Sequence, residues 1–292
     1  MAKIIDGKKV SQKLKDELKI EIETIKSKFN RVPGLAVIQV GNVAASSVYV
    51  KAKTKAAKEV GINVFDYHLE DTIQQGELLN LINQLNNQAE VDGILVQLPL
   101  PKSFNEQKIL DSITPKKDAD GFHPINVGKL SISQKNDENL LIPCTPFGCL
   151  VLLRELNINL VGKNAVVIGR SNIVGKPMAQ LLLKESCTVT TVHSKTVDIE
   201  SICKKADILI AAIGKPEFVN KDWVKEGAII IDVGINRVKI NEEKSKLVGD
   251  VLFSDVENKV SAISPVPGGV GPMTIACLLR NTTISCKNRL IN

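Results

Sequence analysis

The chain has 292 residues, of which 43% are hydrophobic and 24% charged, a globular mixture long enough for one large or two ordinary domains. Its formal charge of +6 comes from 38 basic and 32 acidic residues. No basic run is interleaved with aromatic residues, so the composition argues against a nucleic-acid-binding protein.

The cysteines and histidines do not indicate a metal site. Six cysteines and three histidines fall at no metal-ligand spacing, so we expect no metal and free, buried thiols, as in a reducing compartment. The start of the chain resembles neither a secretory signal nor a transit peptide, and no apolar run reaches membrane-spanning length. We therefore expect a cytoplasmic protein that does not bind a membrane.

Predicted helices and strands alternate along the first part of the chain. Apolar residues recur at helical spacing between Val10 and Phe29, and LAVIQVG is the short apolar run of a buried strand. Ser46 or Ser47 can cap the helix that follows, and Gly61 ends it. The next predicted elements are a strand at 62–69, a helix at 77–87 and a strand at 93–101 that Pro99 breaks. Such alternation indicates parallel βαβ units with right-handed crossovers.

Residues 101–145 interrupt the alternation. Pro, Asp, Asn and Gly punctuate this segment and KNDEN at 135–139 is typical of a polar loop, so we predict a hinge here. A helix from Phe147 to Leu156 leads into a second alternating series, which ends in a loop and a helix with Pro272 in its first turn. The strands of this series are predicted at 164–169, 188–192, 207–213 and 228–233.

These patterns predict an α/β protein of two domains. The first is an α/β substrate domain of residues 1–120, completed by the C-terminal helix at 272–292. The second, residues 121–271, is a Rossmann-like dinucleotide-binding domain with a parallel sheet. We expect the active site in the cleft between the two domains.

The segment NAVVIGRSNIVGKPMAQLLL is typical of a strand, a tight turn and a helix that bind a phosphate. Gly169 allows the sharp turn, Gly175 allows the helix to approach the strand, and the N–H groups at the helix start can hold the phosphate. The spacing is G-x-S-x-x-x-G and not G-x-G-x-x-G. Taken alone, this pattern fits a packing turn of any α/β protein about as well.

The end of the next strand favours NADP over NAD. NAD enzymes place a carboxylate there for the ribose 2′-hydroxyl, but here no carboxylate precedes Asp198. Arg170, Ser194 and Lys195 instead offer a 2′-phosphate cations and a hydroxyl, although Arg170 and Lys195 could also be merely solvated. Ile235, in the turn after a later strand, is a candidate backbone contact for the nicotinamide end.

Four residues of the first half are candidates for substrate chemistry. Tyr49 and Lys53 share one face of a predicted helix, and Gln97 ends a strand, where sheets open toward ligands. A neutral amide such as that of Gln97 can hold a proton-transferring lysine without pairing its charge. Asp120, one of two loop acids, can accept paired N–H bonds from an aminopyrimidine. Each of these assignments is poorly supported when taken singly. A Tyr–Lys pair on a polar helix face, for example, usually lies on the protein surface.

Seven motifs in order make the chain resemble the bifunctional methylenetetrahydrofolate dehydrogenase/cyclohydrolase family along nearly its whole length. They are VYVKAK, GILVQLPLP, KDADGFHPINVGKL, PCTPFG, GRSNIVGKPMA, IDVGIN and PVPGGVGPMT. Other two-domain dehydrogenases, such as shikimate dehydrogenase, lack the first and last of these. Departures are small: Ser264 stands where many relatives carry Thr, and HSKT replaces an Arg-containing segment of some relatives.

The resemblance implies two reactions of one-carbon metabolism, which also serve purine biosynthesis. A hydride passes from 5,10-methylenetetrahydrofolate to NADP⁺, and water then opens the 5,10-methenyl cation to 10-formyltetrahydrofolate. The resemblance also implies a homodimer. Open alternatives are a monofunctional enzyme of the same family, a non-catalytic NADP-sensing protein and a reductase of another cyclic substrate.

The resemblance also assigns roles to individual residues. Lys53, largely neutral beside the cationic substrate, would transfer protons, with Gln97 tuning it. Tyr49 would pack against the folate ring and Asp120 would anchor its pterin edge. The residues expected to flank the ring are Val96, Leu98, Pro267, Gly268 and Gly269, and those matching NADP contacts are Gly169, Arg170, Ser171, Ser194 and Ile235.

Overall fold

The computed structural model describes residues 1–42, 44–133, 137, 139–241 and 244–291, without the side chains of residues 44–46. The strands are β1 (Lys3–Ile4), β2 (Gly34–Val40), β3 (Asn63–Leu69), β4 (Gly93–Val96), β5 (Asn164–Ile168), β6 (Thr188–Val192), β7 (Ile208–Ala211), β8 (Ile229–Asp232), β9 (Asn236–Lys239), β10 (Ser245–Val248) and β11 (Ala262–Ile263).

The helices are α1 (Gly7–Phe29), α2 (Ala44–Val60), α3 (Gln75–Asn87), α4 (Glu106–Ser112), α5 (Pro124–Ile132), α6 (Cys144–Arg154), α7 (Gly175–Lys184), α8 (Ile199–Cys203), α9 (Phe253–Val256) and α10 (Val270–Ile291). Short 3₁₀ helices cover Pro115–Lys117 and Lys221–Trp223. Within the described parts of the chain, no helix combines the length and apolar character needed to cross a bilayer.

The chain divides into two compact units. Gln12–Cys144 with Ile275–Asn292 form what we call the three-strand unit, and Met1–Ser11 with Thr145–Thr274 form the six-strand unit. The division falls inside α1 and α10. The three-strand unit continues past residue 120 to Cys144, and the functional domain boundary at residue 120 stays a prediction.

The three-strand unit is built on a parallel sheet in the order β3-β2-β4. All seven residues of β2 are buried, as expected for a central parallel strand covered on both faces. One face of the sheet packs against α3. Its core consists of Ala36, Ile38, Val40, Leu78, Ile82, Leu85, Val91, Ile94, Val96, Phe104, Ile109 and Ile113.

The six-strand unit holds a parallel sheet in the order β1-β11-β8-β7-β5-β6. The chain reverses its direction of travel across the sheet at β5, because β6 lies on one side of it and β7 and β8 on the other. Open α/β sheets bind ligands at the carboxyl ends of the strands beside such a reversal. The antiparallel hairpin of β9 and β10 was not predicted from the sequence.

Most predicted elements are confirmed, although the strand predicted at 93–101 ends at Val96. Three further predictions were wrong. The helix expected to be capped by Ser46 or Ser47 begins at Ala44, so Ser47 lies inside it, and the side chain of Ser46 is outside the described residues. The helix expected to begin at Phe147 begins at Cys144.

The third wrong prediction is the irregular character of residues 101–145, because this segment contains α4 and α5, whereas the hinge expected there stays a prediction. Asn105 accepts a hydrogen bond from Lys108 N at 3.0 Å, and Pro124 follows the N-cap His123, so turn-forming residues here start helices. Within the predicted loop 135–139, residues 135, 136 and 138 lie outside the described residues.

A buried carboxylate attaches α10 to the three-strand sheet. Asp92 is fully buried just before β4, where one oxygen accepts from Arg31 Nη2 at 2.6 Å and Gly34 N at 2.9 Å. The other oxygen accepts from Arg289 Nη1 of α10 at 2.7 Å, and Ser285 Oγ donates to Asp92 O at 2.6 Å. Burial raises the pKa of Asp92, while Gly34 and both arginines oppose the rise.

We predict that Asp92→Asn lowers the free energy of unfolding by about 3 kcal/mol, because two partly buried guanidinium groups lose their counter-charge. Chemical denaturation of the purified variant measures this loss. The control is Glu59→Gln on α2, which breaks an exposed pair 3.9 Å from Lys55 Nζ and should cost less than about 1 kcal/mol. Equal losses in both variants would contradict the proposed importance of the buried cluster.

Candidate functional site

Two residues far apart in the sequence form a buried pair in the three-strand unit. Lys53 on α2 is 6% exposed, and its Nζ donates to Gln97 Oε1 at 3.0 Å. The amide nitrogen of Gln97 donates to Leu98 O at 2.7 Å, which leaves the amide oxygen for the lysine. Backbone N–H of Gln97 donates to Ile38 O at 2.8 Å, so the end of β4 fixes this side chain. The structure therefore brings together two of the residues predicted from the sequence.

Tyr49 lies one turn before Lys53 on α2. Its side chain is half-buried, and burial raises the pKa of the phenol. The hydroxyl therefore stays protonated near neutral pH and can donate a hydrogen bond while the ring offers an apolar face.

Asp118 and Asp120, the two acids of the segment DAD, differ in their hydrogen-bond partners. Asp118 is buried, and its two oxygens accept from the backbone N–H groups of Gly121, Phe122 and His123, at 3.0, 3.2 and 2.8 Å. It also accepts from Asn126 Nδ2 at 2.8 Å. These bonds saturate the carboxylate, so Asp118 shapes the loop.

Asp120 is the acid available for a ligand. Desolvation raises its pKa to about 6; the charge of Lys53 opposes this rise and that of Asp118 adds to it. Asp120 thus lies within electrostatic range of the Lys53–Gln97 pair. Tyr49, Lys53, Gln97 and Asp120 all belong to the three-strand unit.

Asn281 of α10 is a supporting residue that sequence reasoning missed. It is 1% exposed, and its Nδ2 donates to Ala119 O at 3.0 Å and Ile142 O at 2.8 Å. Cys144 N donates to Asp120 O at 3.2 Å, which also fixes this loop. The available signal was an amide two residues after the apolar run IACLL of the predicted helix, since buried amides are usually hydrogen-bonded.

The predicted ring-flanking residues lie in different surroundings. Val96 is 1% exposed and packs in the core of the three-strand unit, whereas Leu98 is half-buried just beyond β4. Pro267, Gly268 and Gly269 belong to the six-strand unit, with Pro267 exposed.

Gly269 has a packing role of its own. A Cβ added at Gly7, at the start of α1, would lie 1.8 Å from Gly269 O, so the two backbones are in direct contact. A Cβ at Gly269 would lie 2.6 Å from Pro265 O. Gly268 has φ of +105°, a conformation that favours glycine.

The glycines of the predicted phosphate turn have the roles expected from the sequence. Gly169 has φ of +124°, and a Cβ there would lie 2.2 Å from Ala212 O. A Cβ at Gly175 would lie 2.3 Å from Gly169 O, so the start of α7 packs directly on the turn after β5. Ser171 Oγ accepts from Val174 N at 3.2 Å and Gly175 N at 3.3 Å.

The predicted 2′-phosphate residues are exposed beside this turn. Arg170, Ser194 and Lys195 have exposed side chains after β5 and β6, which are adjacent strands. Lys195 N donates to His193 Nδ1 at 3.2 Å, so His193 shapes the turn. Cations and a hydroxyl at the ends of two neighbouring strands form a surface suited to a phosphate.

The turn after β8 presents Ile235, which is 45% exposed. Asp232 precedes it and accepts from Gly234 N at 2.9 Å, while Asp232 N donates to Ser264 Oγ at 2.8 Å. Burial raises the pKa of Asp232 to about 7. Because Ser264 Oγ accepts from Asp232 N, this hydroxyl has a structural role, which the hydroxyl of a Thr could also perform.

Models of both domains of one family match the chain. The catalytic domain of tetrahydrofolate dehydrogenase/cyclohydrolase matches residues 5–120, and its NAD(P)-binding domain matches residues 143–290. The chain belongs to the tetrahydrofolate dehydrogenase/cyclohydrolase family. The resemblance seen in the seven sequence motifs is thereby confirmed.

Full-length relatives of this family are similar to the chain. Bifunctional protein FolD of Acetivibrio thermocellus is 54% identical over 286 residues, covering 98% of this chain and 97% of its own. The crystal structure of the bifunctional FolD enzyme from Campylobacter jejuni is 51% identical, with a TM-score of 0.93 over 99% of this chain and 100% of its own.

A third relative was solved with ligands. The methylenetetrahydrofolate dehydrogenase-cyclohydrolase of Trypanosoma brucei, complexed with NADP and an inhibitor, is 38% identical. Its TM-score is 0.94, and the match covers 100% of this chain and 99% of that one. The predicted two-domain α/β fold is therefore confirmed.

Proposed function

We propose that this chain is a bifunctional enzyme, an NADP-dependent methylenetetrahydrofolate dehydrogenase and methenyltetrahydrofolate cyclohydrolase. The observation that carries the cyclohydrolase half is the buried Lys53–Gln97 pair, with the charge of Asp120 in range. Membership of the family and full-length relatives named for both activities support the dehydrogenase half. The reactions belong to one-carbon metabolism and supply 10-formyltetrahydrofolate, which serves purine biosynthesis.

The residues of the six-strand unit fit NADP. The turn at Gly169 and Gly175 has no room for a Cβ, so the start of α7 packs on the turn after β5, and a pyrophosphate would lie against this turn. Ser171 already accepts the N–H groups of Gly175 and Lys176, so the expected phosphate contact with the first N–H groups of α7 is not open in this structure. Arg170, Ser194 and Lys195 would hold the 2′-phosphate, and Ile235 the nicotinamide end. When bound, the cofactor accepts the hydride that leaves the methylene carbon, and the protein supplies orientation.

Lys53 would manage protons during hydrolysis of the methenyl cation. Its partner Gln97 is neutral, so the amine is held in place without a direct counter-ion, and proton exchange with the attacking water remains open to it. Tyr49 would pack its ring on the substrate from the same helix face. Asp120 would accept paired N–H bonds from the aminopyrimidine edge, since Asp118 is already saturated.

The remaining ring contacts would come from the Leu98 side chain, from the backbone of Val96 and from a segment of Pro and Gly residues. Leu98 would contact the ring with its half-buried side chain, whereas Val96 would contribute its backbone, because its side chain is in the core. Pro267, Gly268 and Gly269 would flank the ring with a segment that carries little side-chain bulk.

The direct test of this function follows the absorbance of methenyltetrahydrofolate. With methylenetetrahydrofolate and NADP⁺ the absorbance should rise, and with methenyltetrahydrofolate alone it should decay faster than in buffer. A rise without accelerated decay would indicate a monofunctional dehydrogenase. Accelerated decay without a rise would indicate a monofunctional cyclohydrolase.

We predict that Lys53→Met lowers the rate of methenyl hydrolysis by roughly 100-fold or more, because general acid–base catalysis of that step is lost. NADP-linked oxidation should survive at least in part, since hydride transfer depends mainly on orientation. Both rates are measured on one preparation. The matched control is Lys55→Met on the same helix, whose side chain is 80% exposed and should affect neither rate. Equal loss of both activities in folded Lys53→Met would overturn this division of roles.

We predict that the double variant Arg170→Ala, Ser194→Ala raises the KM for NADP by about tenfold or more, because charge-assisted bonds to the 2′-phosphate are lost. NAD lacks this phosphate, so its KM should change little and serves as the internal control. Steady-state oxidation rates with each cofactor give both constants. An equal change for NADP and NAD would remove the 2′-phosphate assignment.

We propose a cytoplasmic homodimer. Buried free thiols at all six cysteines suit a reducing compartment. In the described residues β3 is an edge strand whose pairing is with β2, and such an open edge can pair with a second copy. Sedimentation equilibrium should give twice the chain mass of 31.8 kDa; the mass of one chain would contradict the dimer.

A further inference from the structure

The strand order decides which turns face each half of a bound dinucleotide. The phosphate turn follows β5, and the adenosine residues follow β6 on one side of it. The other half of a dinucleotide must therefore extend to the opposite side, over the ends of β7 and β8. The turns there are residues 212–215 and 233–236.

A single carboxylate holds both of these turns. Asp250 is fully buried, and its Oδ2 accepts from Ile213 N at 2.7 Å and Gly214 N at 2.9 Å in the first turn. Its Oδ1 accepts from Asn236 Nδ2 at 2.9 Å at the end of the second turn. Ile235, the expected nicotinamide contact, lies directly before Asn236.

The second turn also wraps closely around the carboxylate. A Cβ at Gly234 would lie 2.3 Å from Asp250 Oδ1, so glycine is needed for this approach. Two charge-assisted bonds to one turn and one bond to the other set the separation of the two turns.

The position of Asp250 itself does not depend on its side chain. Its N–H donates to Asp232 Oδ1 at 2.9 Å, and its carbonyl accepts from Val219 N at 2.9 Å. Val251 N also donates to Asp232 Oδ2 at 2.9 Å. The backbone therefore stays anchored when the carboxylate is replaced, and the loss falls on the two turns.

We infer that Asp250 is a positioning residue for the nicotinamide half of the cofactor, acting through the turns at 212–215 and 233–236. The inference rests on the proposed NADP-dependent function. Asp250 is buried and would touch neither cofactor nor folate. It would act only by fixing the positions of the backbone groups of the two turns and of Ile235.

The chain offers a matched pair of substitutions at this position. Asp250→Ala removes all three acceptor bonds. Asp250→Asn keeps an oxygen for Ile213 N and Gly214 N, and the amide of Asn236 can turn its own oxygen toward the new NH₂ group. The asparagine variant should therefore restore most of what the alanine variant loses.

The experiment measures two affinities and one rate for each variant. Calorimetry gives the Kd for NADP and for adenosine 2′,5′-bisphosphate, which carries only the adenosine half. Methenyl hydrolysis without NADP reports on the three-strand unit. For Asp250→Ala we expect the Kd for NADP to rise roughly tenfold or more, as for lost bonds to a charged group. The other two values should stay within about twofold of wild type.

Three results would overturn the inference. One is an unchanged Kd for NADP in Asp250→Ala; another is an equal rise for the adenosine fragment; the third is no rescue by Asp250→Asn. If Asp250→Ala does not fold, Asn236→Ala tests the same turn alone and should raise the Kd for NADP but not for the fragment. Wild-type protein that binds neither compound would instead refute the proposed function, so the two failures are distinguishable.

Discussion

Buried carboxylates that accept backbone N–H groups determine the shape of the loops in both units. A carboxylate without such partners would be too costly to bury, so each one fixes the loop that supplies its donors. Asp118 does this for the loop that carries Asp120, and Asp92 connects the sheet to α10. In the six-strand unit Asp232 accepts from Gly234 N in the turn after β8, and Asp250 accepts from Ile213 N in the turn after β7. Irregular segments thereby become rigid enough to present functional groups.

In the proposed chemistry, structural roles and reactive roles fall on different residues. Lys53 and Asp120 stay available because other groups meet the structural needs of their loops and helices. Gln97 fixes the lysine through a neutral oxygen, and Asn281 fixes the backbone at Ala119, directly before the aspartate, and at Ile142. The residues that fix the helices and loops thus differ from the residues that would react. Each reacting group therefore keeps hydrogen-bonding capacity for a ligand.

Much of the fold could be predicted, because continuous apolar runs specify buried parallel strands whatever surrounds them. The segment at 101–145 could not, since Asn105 and Pro124 begin helices as readily as they form turns, and only packing selects between these outcomes. In the candidate site, Asp118 and Asp120 looked equivalent in the sequence. The hydrogen-bond partners of Asp118, which lie up to eight residues away and include Asn126 of α5, distinguish the two acids.

The sequence by itself determined the α/β class, the family through its motifs, and the list of chemically capable residues, because periodicity and residue type are local properties. Only the tertiary structure decided that Lys53 meets Gln97, that Val96 packs into the core, and that Asn281 and Asp250 hold distant loops. These facts depend on apolar packing for Val96 and, for the other residues, on hydrogen bonds between positions tens to more than a hundred residues apart. Such contacts follow from how strands and helices pack, and no local pattern encodes them.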